Sequence, residues 1–122
     1  MTMSISINEL IAKREEIKAR KSQKLTIKTS LGEVVAKKPT TLLMTEALGL
    51  EGNNDEYIVY NCIVEPNLKD KDLQKAYDCA EPMDIVGKVF EFGEIKAIST
   101  VLIESVGVGQ KLDHAIFDEV KK

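Results

Sequence analysis

Tyr57-Ile58-Val59-Tyr60-Asn61-Cys62-Ile63-Val64-Glu65-Pro66-Asn67-Leu68-Lys69-Asp70 is the stretch on which the fold turns. Its first eight residues form an apolar run too dense for periodicity to separate helix from strand. The β-branched Ile58, Val59, Ile63 and Val64 favour a strand. The Asn/Asp-rich start at Asn53-Asn54-Asp55 and a length of about ten residues suit a capped helix. Pro66 closes the run in either case, because the residue before a proline is pushed out of the α region. Past it the residues have a plain structural reading: Asn67 turns the chain, Leu68 plugs a core and Asp70 caps the next helix.

Upstream, Ser6-Ile7-Asn8-Glu9 has the spacing of a capping box, which satisfies free amides at a helix start. Ile7, Leu10, Ile11 and Ile17 then fall near one face, opposite Lys13, Arg14, Glu15, Glu16, Lys18 and Arg20. This predicts an amphipathic helix over 6–21 whose charges form a solvated face. Lys24-Leu25-Thr26-Ile27-Lys28-Thr29 alternates polar and apolar residues with the period of a half-buried strand. Ser30-Leu31-Gly32 turns the chain and Glu33–Lys37 returns it, giving a β-hairpin that needs a helical cover. Pro39-Thr40-Thr41 opens a short helix with Leu43, Met44, Ala47 and Leu48 on its apolar side, and Gly49 stops it.

The polar turn Glu51–Asp55 is the clearest break in the chain. We read it as a loop inside a single domain, 1–122, between a helix, hairpin and short helix (1–50) and an all-helical portion (54–122). In the second portion Asp70 caps a helix with Leu73, Ala76 and Tyr77. Pro82 opens another, with Ile85, Val86, Val89 and Phe90 inward. Gly93 breaks the chain before an amphipathic helix through Glu94, Ile95, Ile98, Val101, Leu102 and Val106. Gly107 and Gly109 precede a final helix carrying Leu112, Ile116, Phe117 and Val120. The fold class is therefore α+β and mostly α-helical: an N-terminal helix and β-hairpin followed by a compact bundle of short helices.

A chain of 122 residues can bury a core without disulfides or metal. With 5% aromatic residues and no Trp, that core is built from Ile, Leu, Val and Met. Cys62 and Cys79 stand in a chain with no apolar leader, so free thiols in a cytosolic protein are expected. The net charge of −3 hides a polarity, +5 over residues 1–40 and −8 over the rest. Such polarity can guide self-association or an acidic partner, and it equally suits a solvated helix and hairpin. The basic part lacks interleaved aromatics, which disfavours nucleic acid. No apolar stretch approaches the length of a membrane span.

Chemistry is sparse. His114 is the sole histidine, and no nucleophile or acid is set around it as a triad requires. Cys62 and Cys79 lack the clustered partners of a zinc site. Gly107-Val108-Gly109 has no Lys-Ser/Thr to cradle phosphate. The pairs Glu15/Glu16 and Asp70/Asp72 lie on Lys-rich segments and read as solvated charges, not as an acid/base pair. No catalytic residue, cofactor or metal site is expected, and the chain does not read as an enzyme.

The segment Tyr57–Tyr77 resembles the central part of the XkdN-like tail assembly chaperones of phages and prophages of Gram-positive bacteria. The resemblance rests on Tyr60-x-Cys62-x-Val64-Glu65-Pro66-Asn67-Leu68-Lys69-Asp70, on Leu73-Gln74 and on Tyr77. A Phe92-Gly93-Glu94 turn and an apolar helix ending Ser105-Val106-Gly107 extend it, so that it covers about residues 55–107. The resemblance implies a helix before Pro66, which decides the reading of 57–64. It implies a signature of structural residues: Tyr60, Cys62, Glu65, Pro66, Asn67, Leu68, Asp70 and Leu73.

The resemblance further implies a non-enzymatic helper that coats the tape measure protein in the host cytoplasm until tail tube subunits polymerise around it. Such a protein self-associates, meets the tail tube protein and is absent from the mature virion. Leu112, Ile116, Phe117 and Val120 are the expected partner-binding face, since few neighbours remain for them to pack on. The alternative is a structural virion component, a tail or head–tail completion protein. In many such phages a ribosomal frameshift near the gene's end makes a longer form, which here would predict a slippery heptamer at the Lys121-Lys122 codons.

Overall fold

Ser6 starts the first helix as its spacing requires. In the structure, a computed structural model that describes residues 4–115, its Oγ accepts the Glu9 N–H at 3.1 Å, and Glu9 Oε1 accepts the Ser6 N–H at 3.1 Å. The expected helix over 6–21 is two segments, α1 (Ile7–Ala12) and α2 (Arg14–Lys21), joined at Lys13. Lys13 serves both segments, its N–H bonding Glu9 C=O at the end of α1 and its C=O accepting the Ile17 N–H at the start of α2. Ile7, Leu10 and Ile11 are exposed and only Ile17 is half-buried.

Strands β1 (Lys24–Thr29) and β2 (Gly32–Lys37) form the expected hairpin, with Leu25 opposite Ala36 and Ile27 opposite Val34. These four share a face because side chains alternate along a strand. Val34 and Ala36 are buried. Helix α3 (Thr41–Leu48) follows, its free amide at Leu43 satisfied by Thr40 Oγ1 at 3.1 Å. Gly49 ends it at φ −80°, a conformation open to any residue.

The ambiguous run is resolved in both directions. Asn54–Cys62 is helix α4, entered through Asn53 at φ +58°, a left-handed conformation that Asn tolerates. Ile63–Glu65 is then a short strand, β3, pairing antiparallel with the free edge of β2: Ile63 faces Ala36 and Glu65 faces Val35, across a register shift. The helical reading of 57–64 thus fails at Ile63 and Val64, and the portion expected to be all helical supplies the third strand. An open edge on β2 offers backbone partners to the two β-branched residues, and burying Ile63 on the sheet's apolar face rewards the switch. Pro66, which has no N–H to give a ladder, sits just past the strand.

Three helices complete the described chain: α5 (Lys71–Ala76), α6 (Asp84–Val89) and α7 (Phe92–Ser105). Gly93 does not break the chain as expected; it lies in the first turn of α7. The break falls one step earlier, at Phe90 and Glu91, both extended. Past Ser105, Gly107 and Gly109 take φ +95° and +86° and redirect the backbone. Residues 110–115 form neither helix nor strand, so the expected final helix is absent at Leu112. Short helices in water depend on packing, and Leu112 is 71% exposed. Ile116, Phe117 and Val120 lie outside the described residues.

One apolar cluster unites these elements. Ile58, Val59 and Cys62 of α4 occupy its middle. Ile95, Ile98 and Leu102 of α7, spaced as one helical stripe, join Ile85 and Val86 of α6 and the sheet residues Val34, Ala36 and Ile63 in the same cluster. An ion pair, Lys96 Nζ to Asp55 Oδ2 at 2.9 Å, ties α7 to the start of α4.

Candidate partner-binding surface

The signature turn holds itself together. Asn67 Oδ1 accepts the Lys69 N–H at 3.1 Å, an Asx turn, and Asp70 Oδ1 accepts the Leu73 N–H at 2.9 Å, a helix cap. Leu68 is 1% exposed. Gln74 Nε2 donates to the Leu68 carbonyl at 2.9 Å and to the Tyr60 hydroxyl at 3.4 Å. Lys69 Nζ donates to Asn61 Oδ1 at 3.0 Å and stands 5.3 Å from the Tyr60 ring centroid. Cys62 lies under the turn, fully buried, while Glu65 and Pro66, joined by a cis bond, are exposed and Leu73 is half-buried. Most polar atoms of the turn are therefore engaged within it, and what it offers a ligand is small.

The reactive side chains are dispersed. Burial pushes the Cys62 thiol up to about 11, with Lys37 and Lys69 pulling weakly the other way, so the group stays a neutral core residue near pH 7. Cys79 is half-buried, and both cysteines are free. His114 is exposed, as are Glu15, Glu16, Asp70 and Asp72. Among the described residues, no three His, Cys, Asp or Glu side chains gather as metal ligands would.

Apolar exposure is the property that stands out. Ile5, Ile7, Leu10 and Ile11 are 67%, 77%, 50% and 51% exposed, forming a stripe along α1 and the residues before it. Leu42 and Leu48 on α3, Phe92 at the start of α7, Val106, Val108 and Leu112 are exposed as well. Among the described residues, as many large apolar side chains face outward as make up the buried core. Only Leu112 of the four residues expected to bind a partner can be placed, and it is open. The α1 stripe was visible as an amphipathic pattern, but the pattern alone does not say whether its apolar side is covered.

Between the end of α2, α3 and the end of α7 lies an open groove of about 1040 Å³. Its apolar lining comes from Met44 and Leu48 of α3 and from Val106 and Val108. Its charged lining is mostly basic, from Arg20 and Lys21 at the end of α2 and from Lys38, with Glu104 the one acid among the lining residues. Lys38 Nζ donates to the Arg20 carbonyl at 3.0 Å, pinning the end of α2 to the body where a cation suits the negative end of a helix. No helix among the described residues is long and apolar enough to cross a membrane.

A family model described as phage XkdN-like tail assembly chaperone protein, TAC, matches residues 7–121. The match reaches well beyond the 55–107 segment on which the sequence resemblance rests, taking in α1, the hairpin and α3. No curated protein and no solved structure matches the chain.

Proposed function

This chain belongs to the phage XkdN-like tail assembly chaperone family, and from that premise we propose that it binds the tape measure protein in the host cytoplasm. It holds that long, aggregation-prone partner soluble until tail tube subunits polymerise around it. The observation that carries the reading is the apolar surface: stripes on α1 and α3 and the open Leu112, on a chain whose reactive groups are scattered or buried. Exposed apolar patches on this scale mark interaction sites. A holding protein needs such patches and needs no chemistry.

The test is co-expression with the tape measure protein of the same phage or prophage. The reading predicts a larger soluble fraction of that partner and a complex that co-purifies. Unchanged solubility with no complex would reject it. Recovery of this chain from purified particles in stoichiometric amount would show a virion component instead.

A further inference from the structure

We propose that Ile116-Phe117-Asp118-Glu119-Val120 docks in cis into the groove between the end of α2, α3 and the end of α7. The described residues leave the apolar lining of that groove open: Leu48, Val106 and Val108 are 77%, 41% and 52% exposed. They leave its cations without counter-ions as well. Among the described residues the one ion pair is Lys96 with Asp55, so no carboxylate stands at ion-pair distance from Arg20, Lys21 or Lys38. A segment that fills this groove therefore needs apolar side chains and acids together.

Residues 116–122 lie outside the described part of the chain, and their sequence has that chemistry. Ile116, Phe117 and Val120 are apolar, and Asp118 and Glu119 are acidic. From Asp113 to Val120 the chain carries these two acids and Asp113, with no Lys or Arg. Lys121 and Lys122 follow, opposite in sign to Glu104, the one acid among the lining residues.

Position along the chain favours the same occupant. Val106, Gly107, Val108 and Gln110 line the groove, so the chain runs on towards Ile116 from the groove wall itself. Gly107 and Gly109 take positive φ there, and Gln110 N–H bonds the Gly107 carbonyl at 3.0 Å, which turns the backbone. Only residues 111–115 separate Gln110 from Ile116, a tether that spans at most roughly 20 Å. So short a tether sets an effective concentration on the order of millimolar, above that of a second copy in dilute solution. A contact too weak to hold a free peptide is then made within one chain.

Docking covers the groove, and any other occupant must first displace the segment. Of the four residues expected to face a partner, Ile116, Phe117 and Val120 then meet their own chain, and Leu112 is outside the contact. The proposal concerns this chain alone and stands apart from tape measure binding.

The sequence contains no Trp, so Phe117→Trp in the full chain adds a single fluorescent reporter. At low protein concentration its emission should lie at shorter wavelength than that of free tryptophan and be shielded from acrylamide, and neither property should change on further dilution. Adding Leu48→Asp/Val108→Asp should move the emission to the solvent value and remove the shielding, with an unchanged circular dichroism spectrum. Adding Asp118→Lys/Glu119→Lys instead should reduce the shift. Joining that pair to Arg20→Glu/Lys21→Glu should restore it, because the charges again oppose with their signs exchanged. A solvent-like reporter in the parent, a shift indifferent to the groove variant, or charge reversals that do not rescue would each overturn the proposal. A shift lost on dilution would give the groove to a second copy and would also overturn it.

Discussion

The carboxylate of Glu94, in the first turn of α7, clasps Ser30 at the tip of the β1–β2 hairpin. Its Oε2 accepts the Ser30 backbone N–H at 2.7 Å and its Oε1 accepts the Ser30 hydroxyl at 2.9 Å, across 64 residues of sequence. Both bonds are charge-assisted, and together they fix where the hairpin ends over the helical layer. The site is partly open to water, which reduces what each bond contributes.

Glu94→Ala should therefore cost about 1 kcal/mol in a urea titration. Its local mark should be larger: amide exchange at Ser30 and Leu31 should quicken while that of α4 stays slow. Equal protection at the hairpin tip in variant and wild type would show the clasp to be idle.

The signature turn should behave as structure. Leu68→Ala empties a fully buried site and should cost about 2–5 kcal/mol, while Asp70→Ala removes a helix cap and should cost about 1 kcal/mol. Denaturant midpoints check both. If Leu68→Ala left stability unchanged yet abolished partner binding, the turn would be a contact site.

Local chemistry explains what was legible in the sequence. The capping box at Ser6, the alternation from Lys24 to Thr29, the cap at Asp70 and Ile95, Ile98 and Leu102 of the α7 stripe each depend on neighbours within a few residues, and each stands where expected, whereas Val101 and Val106 of that stripe are exposed. The misreadings concern distant partners. Ile63 and Val64 turn from helix to strand because β2, nearly thirty residues earlier, has an edge to fill. Glu94 belongs to a recognisable turn pattern, but nothing near it names Ser30. The helix expected at Leu112 lacked a surface to pack on, which its own pattern could not reveal. For the candidate surface, sequence gave the amphipathic arm and the structure its exposure; the groove joins α2, α3 and α7 and has no linear trace.

Cys62 gives a pH-dependent prediction. Burial raises its thiol from an ordinary 9.0 to about 11, so the folded chain keeps a proton that the unfolded chain has lost between those values. Stability falls with pH wherever the unfolded state binds fewer protons. The Cys62 contribution is thus complete below pH 9 and declines from about 9 to about 11. Cys62→Ala should lose part of this slope, visible as the difference between variant and wild-type unfolding curves across that range. A thiol reagent at neutral pH should modify the half-buried Cys79 first and reach Cys62 only on unfolding. Equal labelling rates would contradict the burial argument.

The surface should separate stability from holding. Leu42 and Leu112 are 69% and 71% exposed, so neither contributes much apolar burial to the fold. Leu42→Ser and Leu112→Ser should each shift unfolding free energy by no more than about 0.5 kcal/mol. If these side chains meet the tape measure protein, the double variant should leave less of that partner soluble on co-expression, although the chaperone itself is as stable as before. Holding lost together with stability would point to misfolding. Full holding by a stable double variant would remove these two residues from the contact surface and direct attention to α1.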